Sequence, residues 1–118
     1  MTLPLEGVRV LAVEQYGAGP FGTQFLADQG AEVIKIENPN DGGDFARRIG
    51  PFFFTPEDSE FFHAYNRNKK SLTLDLSREE GFKIFAGFCS NLRCGSFKLA
   101  WGCSGKARID LRKPRSGQ

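Results

Sequence analysis

Three glycines near the amino terminus have a spacing that is typical of phosphate-binding turns. Gly17, Gly19 and Gly22 form the pattern G-x-G-x-x-G, and Glu37 follows the first of them by twenty residues. In a dinucleotide site such glycines make a tight turn at a helix amino terminus, and the acid binds a ribose hydroxyl. Pro20 is also a favoured first residue of a helix. The spacing alone therefore leaves phosphate binding and ordinary turn chemistry as equal alternatives.

Histidine and cysteine give no constellation of catalytic or metal-binding spacing. The only histidine, His63, lies in an aromatic segment, which favours a packed or hydrogen-bonded role over that of a general base. Cys89, Cys94 and Cys103 do not have a common zinc spacing. We therefore predict no metal site.

Several charged residues have ordinary explanations. Lys69 and Lys70 have the charge to attract phosphates, but a solvated surface pair is the more frequent case. We expect Asp41, Asp44 and Asp75 to be turn residues, strand-end residues or solvated charges. None of these aspartates is predicted to be catalytic.

The elements that carry these residues have a β-α-β order. Short apolar runs rich in β-branched residues predict parallel strands at about residues 8–13, 31–37 and 71–76. A helical pattern of Phe21, Phe25 and Leu26 lies between the first two and ends at Gly30. The predicted fold is α/β, a Rossmann-like βαβ unit with a short, incomplete parallel sheet.

Between the second and third strands we predict a long loop that contains aromatic clusters. Residues 38–44 are typical of turns, and core packing is the default for Phe52–Phe54, with an acyl pocket as the alternative. A short helical face is predicted for Phe61, Phe62 and Tyr65. Ser77 and Glu80 form a capping box that predicts the start of a further helix.

Four blocks of this sequence resemble one family closely. They are Pro4–Leu11, Ala18–Pro20, Gly30–Glu37 and Asn66–Leu76. These blocks are similar to the class III CoA-transferases, which include formyl-CoA transferase and the carnitine and bile-acid CoA-transferases. They occur in the same order as in that family, and the segments between them differ little in length. The resemblance covers residues 4 to about 86. It implies an amino-terminal piece of an enzyme of several hundred residues.

The resemblance implies a set of residues that contact coenzyme A. In the family, the turn after the first strand touches the CoA and the reacting thioester, and the end of the third strand packs on the adenine. A family arginine that contacts the nucleotide aligns with Asn38. The implied residues are Gln15, Tyr16, Gly17, Ala18, Asn38, Leu74, Asp75, Leu76 and Ser77. Gly17 stands where the best-studied branch has glutamine, and Ser77 replaces a basic residue. These departures predict weakened CoA contacts.

The resemblance also implies the reaction and the assembly. A family aspartate attacks the acyl-CoA thioester to form a mixed anhydride, then an enzyme-CoA thioester, before the acceptor acid takes the CoA. That aspartate lies beyond the last residue of this sequence, so no catalytic residue is predicted here. The implied substrates are an acyl-CoA and a carboxylic acid, and the family is homodimeric. No membrane segment or secretory signal is evident, and we expect a cytoplasmic location.

The composition changes abruptly near residue 87. Residues 1–87 hold nine Lys/Arg and thirteen Asp/Glu, a balance of −4, whereas residues 88–118 hold seven Lys/Arg and one acid, a balance of +6. We therefore divide the chain into residues 1–87, part of a CoA-transferase large domain, and residues 88–118, a tail that we expect to be disordered or poorly packed.

A frameshift explains this tail best. When its degenerate codons are read one nucleotide later, those from Phe97 to Cys103 permit Ser-Asn-Leu-Arg-Gly-Asp, which is similar to the CoA loop that follows the family's next strand. Neighbouring codons permit family-like sequence in the same register. We expect a frameshift close to residues 86–88, which removes the fourth strand.

Three functional hypotheses remain. The first is a truncated class III CoA-transferase, inactive alone. The second is an NAD(P)-binding Rossmann module, which the glycine spacing and Glu37 permit. The third is a small protein that binds nucleic acid through the basic run Lys106–Arg115, which clustered positive charge alone suggests. The four blocks favour the first, with no nucleic-acid partner.

Overall fold

A parallel β-sheet is the centre of the part of the chain that the structure describes, which is residues 2–90 and the backbone of residues 97–100. The structure is a computed structural model. Its strands are, in chain order, β1 (Arg9–Val13), β2 (Glu32–Glu37), β3 (Phe53–Thr55), β4 (Asp58–Ser59), β5 (Lys70–Thr73) and β6 (Phe97–Ala100). The sheet has the order β5-β2-β1-β6, and each neighbouring pair is parallel. β3 and β4 form a separate antiparallel hairpin.

The helices lie between these strands in the predicted alternation. They are α1 (Ala18–Asp28), α2 (Glu60–Asn66) and α3 (Glu79–Ser90), with 3-10 helices at Pro39–Asp41 and Phe45–Arg48. The short parallel sheet and its intervening helices confirm the predicted α/β fold class. The three predicted strands are present within a few residues of their expected ends, because their apolar runs are local features of the sequence.

β1 is buried on both faces, as its apolar sequence predicts. On one face Val10 and Ala12 pack with Ala27 of α1. On the other face Leu11 packs with Phe85 of α3. Since alternate residues of a strand point to opposite faces, β1 contributes to both halves of the core. The carboxyl end of β1 is therefore fixed on both sides.

The helical pattern predicted for α1 gives the helix correctly but only partly predicts which of its residues are buried. Leu26 packs against the core, but Phe21 and Phe25 are 49% and 52% exposed. The buried residues of this helix are Pro20, Thr23, Gln24 and Ala27. Polar side chains are buried here because the helix covers a charged cluster; Thr23 Oγ1, for example, donates a hydrogen bond to Glu14 Oε1 over 2.7 Å.

The capping box predicted at the start of α3 is wrong. The Ser77 hydroxyl donates to Asp75 Oδ1 over 2.6 Å, and the Ser77 N–H donates to the same oxygen over 2.9 Å. The helix begins two residues later, at Glu79. Its first turn packs closely on the preceding segment, since a Cβ added to Gly81 would lie 2.0 Å from the Asp75 carbonyl oxygen. Glycine at position 81 therefore allows α3 to approach the end of β5.

The β3–β4 hairpin was not predicted, and it corrects the expectation of core packing for Phe52–Phe54. These phenylalanines are 68%, 48% and 70% exposed. The hairpin is a separate two-stranded sheet, and all three residues of β3 are exposed, so neither of its faces is covered at these positions.

β6 is a further difference from the sequence-based expectation. We expected the fourth strand to be lost and residues 88–118 to carry little regular structure, yet the backbone of Phe97–Ala100 pairs in parallel with β1, with Leu11 opposite Lys98. α3 also continues to Ser90. The basic run Lys106–Arg115 and the rest of the predicted tail lie outside the described residues.

Candidate functional site at the carboxyl edge of the sheet

The residues predicted to contact CoA follow the carboxyl ends of three parallel strands. β1 ends at Val13, β2 at Glu37 and β5 at Thr73. Because neighbouring parallel strands end at the same edge, the three predicted segments share that edge, which is where ligands bind in open α/β sheets. We call it the carboxyl edge. The predicted residues at this edge are Gln15, Tyr16, Gly17, Ala18, Asn38, Leu74, Asp75, Leu76 and Ser77.

Residues 38–48, which we call the bridging loop, connect these segments. Asn40 Nδ2 donates to Asp75 Oδ2 over 2.7 Å and so joins the loop to the segment after β5. The Tyr16 N–H donates to Asp44 Oδ1 over 2.9 Å and joins the loop to the turn after β1. The structure therefore brings together residues that lie 28 and 35 positions apart in the sequence.

The turn after β1, residues 14–17, is called the β1–α1 turn below. Its Tyr16 has φ of 71°, a left-handed conformation that costs a residue other than glycine about 1–3 kcal/mol. The Tyr16 ring stacks on Phe61, with 5.3 Å between ring centroids, and is 49% exposed. Surrounding contacts hold this residue in an unfavourable backbone conformation, which is typical of ligand-binding turns.

The three glycines at the amino terminus of α1 differ in their surroundings. Gly17 is the N-cap of α1 and Gly22 lies in its first turns, and a Cβ added at either would meet nothing within 4 Å. Only Gly19 is closely approached, since its Cβ would lie 2.9 Å from Glu14 Cβ. Gln15 is half-buried and Ala18 is exposed. The close packing at this turn is therefore against a side chain of the protein itself.

Glu14 occupies the space beneath the amino terminus of α1. It is 3% exposed, and its Oε2 would lie 3.3 Å from a Cβ on Gly19. Its Oε1 accepts hydrogen bonds from Thr23 Oγ1 over 2.7 Å and from Lys69 Nζ over 3.0 Å. A carboxylate at the positive end of a helix dipole is favourable. Two buried lysines, Lys69 and Lys35, lie 3.0 and 3.9 Å from its Oε1 and balance its charge.

Lys69 is not the surface residue that the sequence indicated, whereas Lys70 is. The Lys69 side chain is 2% exposed, and its ammonium donates to Pro20 O over 2.8 Å and to Asn66 Oδ1 over 3.2 Å. Burial lowers the pKa of Lys69, while the nearby Glu14 carboxylate opposes that shift. Lys70 is 70% exposed and pairs with an acid of the neighbouring strand.

Glu37 is fully engaged by the protein. Its Oε1 accepts from Arg47 Nη2 over 2.8 Å and from Ser71 Oγ over 2.7 Å. Its Oε2 accepts from Arg47 Nε over 2.8 Å and from the Asp44 N–H over 2.9 Å. Burial raises the pKa of Glu37, but these hydrogen bonds outweigh it and lower the pKa to about 2. The carboxylate is thus committed to structure and is not free to bind a ribose.

The segment after β5 has a buried side and an exposed side. Leu74 and Leu76 pack against the core cluster that contains Phe85. Asp75 accepts hydrogen bonds from Ser77 and Asn40, and these lower its pKa. The polar side chains, rather than the leucines, therefore face the solvent side of the carboxyl edge.

Asn38 begins the bridging loop and organises its own turn. Its Oδ1 accepts from the Asn40 N–H over 3.1 Å, and its Nδ2 donates to Asp41 Oδ2 over 2.7 Å. This side chain caps the 3-10 helix Pro39–Asp41. Asn38 therefore stabilises the bridging loop. In the family that the sequence resembles, an arginine occupies this position.

An open cleft of about 360 Å³ lies between the bridging loop and β5. Glu37 and Arg47 lie at its wall, and its remaining lining residues are Pro39, Gly42, Gly43, Glu57, Ser71 and Thr73. The cleft adjoins the predicted nucleotide segment, since Thr73 is the last residue of β5. It offers space for a polar group at the carboxyl edge.

His63 packs against aromatic rings, which is one of the two roles that the sequence favoured; its ring centroid lies 5.2 Å from that of Phe54 and 6.0 Å from that of Phe62. Its Nε2 lies 2.8 Å from Asp58 Oδ1, and its side chain is 54% exposed. Within residues 2–90, no group of three or more metal-ligating side chains lies close enough to hold an ion. No helix in the described part of the chain has the length and apolarity needed to cross a bilayer.

Sequence reasoning missed the buried charges that support the β1–α1 turn. Lys35 and Asp44 are each 1% exposed, and Asp44 was expected to be a turn residue or a solvated charge. Asp44 is indeed the N-cap of the 3-10 helix Phe45–Arg48, but its carboxylate is buried against Lys35. The available signal was the lysine itself, which interrupts the apolar run of β2 next to the core.

Comparison with known proteins gives a consistent result. The family described as CoA-transferase family III matches residues 5–90. The chain is 47% identical to succinate–glutarate CoA-transferase from Agrobacterium fabrum over 83 residues, covering 66% of this chain and 20% of that protein. It is 38% identical over 109 residues to the alpha subunit of succinyl-CoA–L-malate CoA-transferase from Chloroflexus aurantiacus, covering 86% of this chain and 25% of that protein.

Solved structures show the same likeness. A CAIB/BAIF family protein from Brucella suis has a TM-score of 0.64 and 40% sequence identity, covering 72% of this chain and 23% of that one. A hypothetical protein from Mycobacterium tuberculosis has a TM-score of 0.62 and 43% identity, covering 73% of this chain and 22% of that one. The chain thus spans about a fifth to a quarter of the length of the relatives that it matches.

Proposed function

Because this chain belongs to CoA-transferase family III, we propose that it forms the amino-terminal part of a CoA-binding domain in the transfer of CoA between an acyl-CoA thioester and a carboxylic acid. The observation that carries this proposal is the bridging loop. Through Asn40 and Asp44 it joins the segment after β5 to the β1–α1 turn, the two places where the resemblance implies contacts with adenine and thioester.

The names of the relatives support a narrower substrate class. They are transferases that act on succinyl-CoA with L-malate, on succinate with glutarate, and on succinyl-CoA with glutarate. We therefore propose succinyl-CoA as the donor and a four- or five-carbon dicarboxylate as the acceptor. From the family resemblance of its sequence we also propose that the complete enzyme is a homodimer.

The 118-residue chain by itself is proposed to be inactive. The described carboxylates that touch the β1–α1 turn are Glu14 and Asp44, which are 3% and 1% exposed and paired with lysines. A nucleophile must reach the thioester carbon, and neither of these acids is accessible. Gly17, Asn38 and Ser77 replace family side chains, so we expect CoA to bind only weakly. The tail beyond residue 87 is proposed to be out of frame.

The NAD(P) hypothesis has less support from the geometry. Glu37, the candidate for the ribose, already accepts four hydrogen bonds from the protein. Glu14 places negative charge beneath the helix amino terminus, where a dinucleotide would place its pyrophosphate. In both cases a group or a space that the dinucleotide would need is already occupied by the protein.

Titration and a thioester-exchange assay test the proposal on the chain itself. We expect CoA to bind with a dissociation constant of about 1 mM or weaker, and succinyl-CoA with glutarate to give no exchange above the blank. Micromolar CoA binding with turnover would contradict the inactivity, and tight NAD binding would favour the dinucleotide hypothesis.

A chimaera tests the family role separately. Residues 5–90 replace the matching segment of the Agrobacterium fabrum enzyme, and the corresponding segment of the human succinyl-CoA:glutarate CoA-transferase serves as the matched control. We expect the chimaera to transfer CoA with a higher KM for succinyl-CoA than the control has. A folded, dimeric chimaera without activity, beside an active control, would contradict the proposed role.

A further inference from the structure

We propose that the buried Lys35–Asp44 ion pair positions the β1–α1 turn for its acyl-CoA ligand, an inference that rests on the proposed function of that turn. Lys35 Nζ lies 2.6 Å from Asp44 Oδ2, and the two side chains are 1% and 0% exposed. Neither residue belongs to the set that the resemblance implies. Both act through the backbone of the turn and are therefore positioning residues.

Lys35 holds the amino end of the turn. Its ammonium donates a hydrogen bond to the Glu14 carbonyl oxygen over 3.1 Å and lies 3.9 Å from Glu14 Oε1. Lys35 belongs to β2, where it pairs in register with Ala12 of β1, which is 0% exposed. Lys35 thus lies beside a fully buried residue of the central strand, two positions before the turn begins.

Asp44 holds the carboxyl end of the turn. Its Oδ1 accepts the Tyr16 N–H over 2.9 Å and also the Ala46 N–H over 2.9 Å, while its Oδ2 faces Lys35. Asp44 is itself held by Glu37, whose Oε2 accepts the Asp44 N–H over 2.9 Å. The pair therefore fixes the backbone on both sides of Gln15.

Stability alone does not explain this pair. Replacing a buried ion pair by apolar residues is often neutral or stabilising, because desolvation offsets the attraction between the charges. An apolar pair cannot, however, accept the Tyr16 N–H or donate to the Glu14 carbonyl. These bonds maintain Tyr16 at φ of 71°, which a residue other than glycine does not adopt without external support. The arrangement thus selects one conformation of the turn.

The consequence lies in the orientation of the ligand-facing groups. The turn leads directly into α1, whose N-cap is Gly17. When Tyr16 is held, the Gln15 side chain and the amino terminus of α1 keep a fixed position relative to the bridging loop. Preorganisation of this kind lowers the ordering cost of binding.

The test uses ¹⁵N-labelled 118-residue chain, followed by NMR, with CoA added to millimolar concentration. In Asp44→Ala we expect the Tyr16 amide to exchange about tenfold faster relative to the Val10 and Val33 amides, as for a lost hydrogen bond. CoA affinity should fall several-fold in the same variant. Asp44→Asn keeps an oxygen that accepts the Tyr16 N–H but loses the ion pair with Lys35, so it should restore only part of the protection and of the affinity.

Further variants separate positioning from general loss of stability. Lys35→Met should also speed hydrogen exchange of the Tyr16 amide. If Asp44→Ala does not fold, Lys35→Met and Asp44→Asn are compared with the unaltered chain in its place. Asp28→Asn weakens the exposed contacts of Asp28 with Arg67 and Asn68, at the end of α1 away from the β1–α1 turn, and should change neither readout. Unaltered Tyr16 exchange in Asp44→Ala, or faster exchange with unchanged CoA affinity, would overturn the inference.

If the unaltered chain shifts no amide with CoA, the affinity is compared instead as the KM for succinyl-CoA of the chimaera that carries the same variants. A folded, dimeric chimaera without activity would count against the proposed function, whereas Tyr16 exchange, measured without ligand, tests the inference.

Discussion

Arg47 and Glu37 form a pair with two parallel hydrogen bonds of 2.8 Å at the wall of the open cleft. Such a bidentate pair is among the stronger charge-assisted contacts in proteins. Arg47 also lies over the Phe62 ring, with 3.7 Å between its guanidinium carbon and the ring centroid. The pair therefore joins the end of β2 to the bridging loop and to α2.

This pair makes stability depend on acidic pH. The pKa of Glu37 is lowered from 4.5 to about 2, so its contribution to folding is present above pH 4.5 and is lost as pH falls toward 2. The shift corresponds to about 3 kcal/mol. We expect Glu37→Gln to lower the free energy of unfolding at pH 7 by a comparable amount, and the difference from wild type to shrink near pH 3. Urea denaturation at both pH values measures it; an equal difference at both would contradict the assignment.

Gly81 is expected to tolerate no side chain. A Cβ would lie 2.0 Å from the Asp75 carbonyl oxygen, a backbone atom that cannot move without displacing the segment after β5. Gly81→Ala should therefore destabilise the chain by about 1–3 kcal/mol, as overpacking does.

Gly87→Ala is the matched control, since it lies in the same helix and its Cβ would meet nothing within 4 Å. Alanine favours helix over glycine, so this variant should be neutral or slightly stabilising. Thermal denaturation of both variants decides the matter. Equal effects in the two would show that the close contact does not matter.

Lys69 and Lys70 should differ sharply despite being neighbours. Lys69→Met removes a buried ammonium from Glu14 and is expected to cost about 3 kcal/mol, since one buried charge loses its closest partner. Lys70→Met removes a pair that is 70% exposed on the lysine side and should cost about 0.5 kcal/mol or less. Denaturant titration measures both. A similar small effect in the two variants would contradict the buried network.

Near codon 87 of the encoding DNA, we expect the family-like sequence to continue in a reading frame that is shifted by one nucleotide. The reversal of charge from −4 to +6 and the register of the alternative codons motivate this prediction. Sequencing through and beyond codon 118 should reveal an alternative frame of several hundred codons that includes an aspartate in a family-like context. An alternative frame that stops within a few codons would leave the tail needing another explanation.

Much of the fold is predictable from local sequence. The apolar run of β1 is continuous, and that of β2 is interrupted only by Lys35; this pattern alone places both strands within a residue or two. The family resemblance also rests on short blocks of sequence. Helix faces were less predictable: Phe21 and Phe25 have helical spacing but are exposed, because α1 turns its polar residues toward the buried charges.

The sequence by itself determined the strand order along the chain, the family and the segments that form the carboxyl edge, since each depends on residues close together in the chain. Only the tertiary structure decided the partners of the charged residues. Lys35 and Lys69 meet Glu14 across 21 and 55 positions, and Asp44 meets Tyr16 across 28. Parallel register and the return of the bridging loop create these contacts, and a buried charge is stable only where such a partner arrives. No local pattern distinguishes Lys69, which is buried, from its exposed neighbour Lys70.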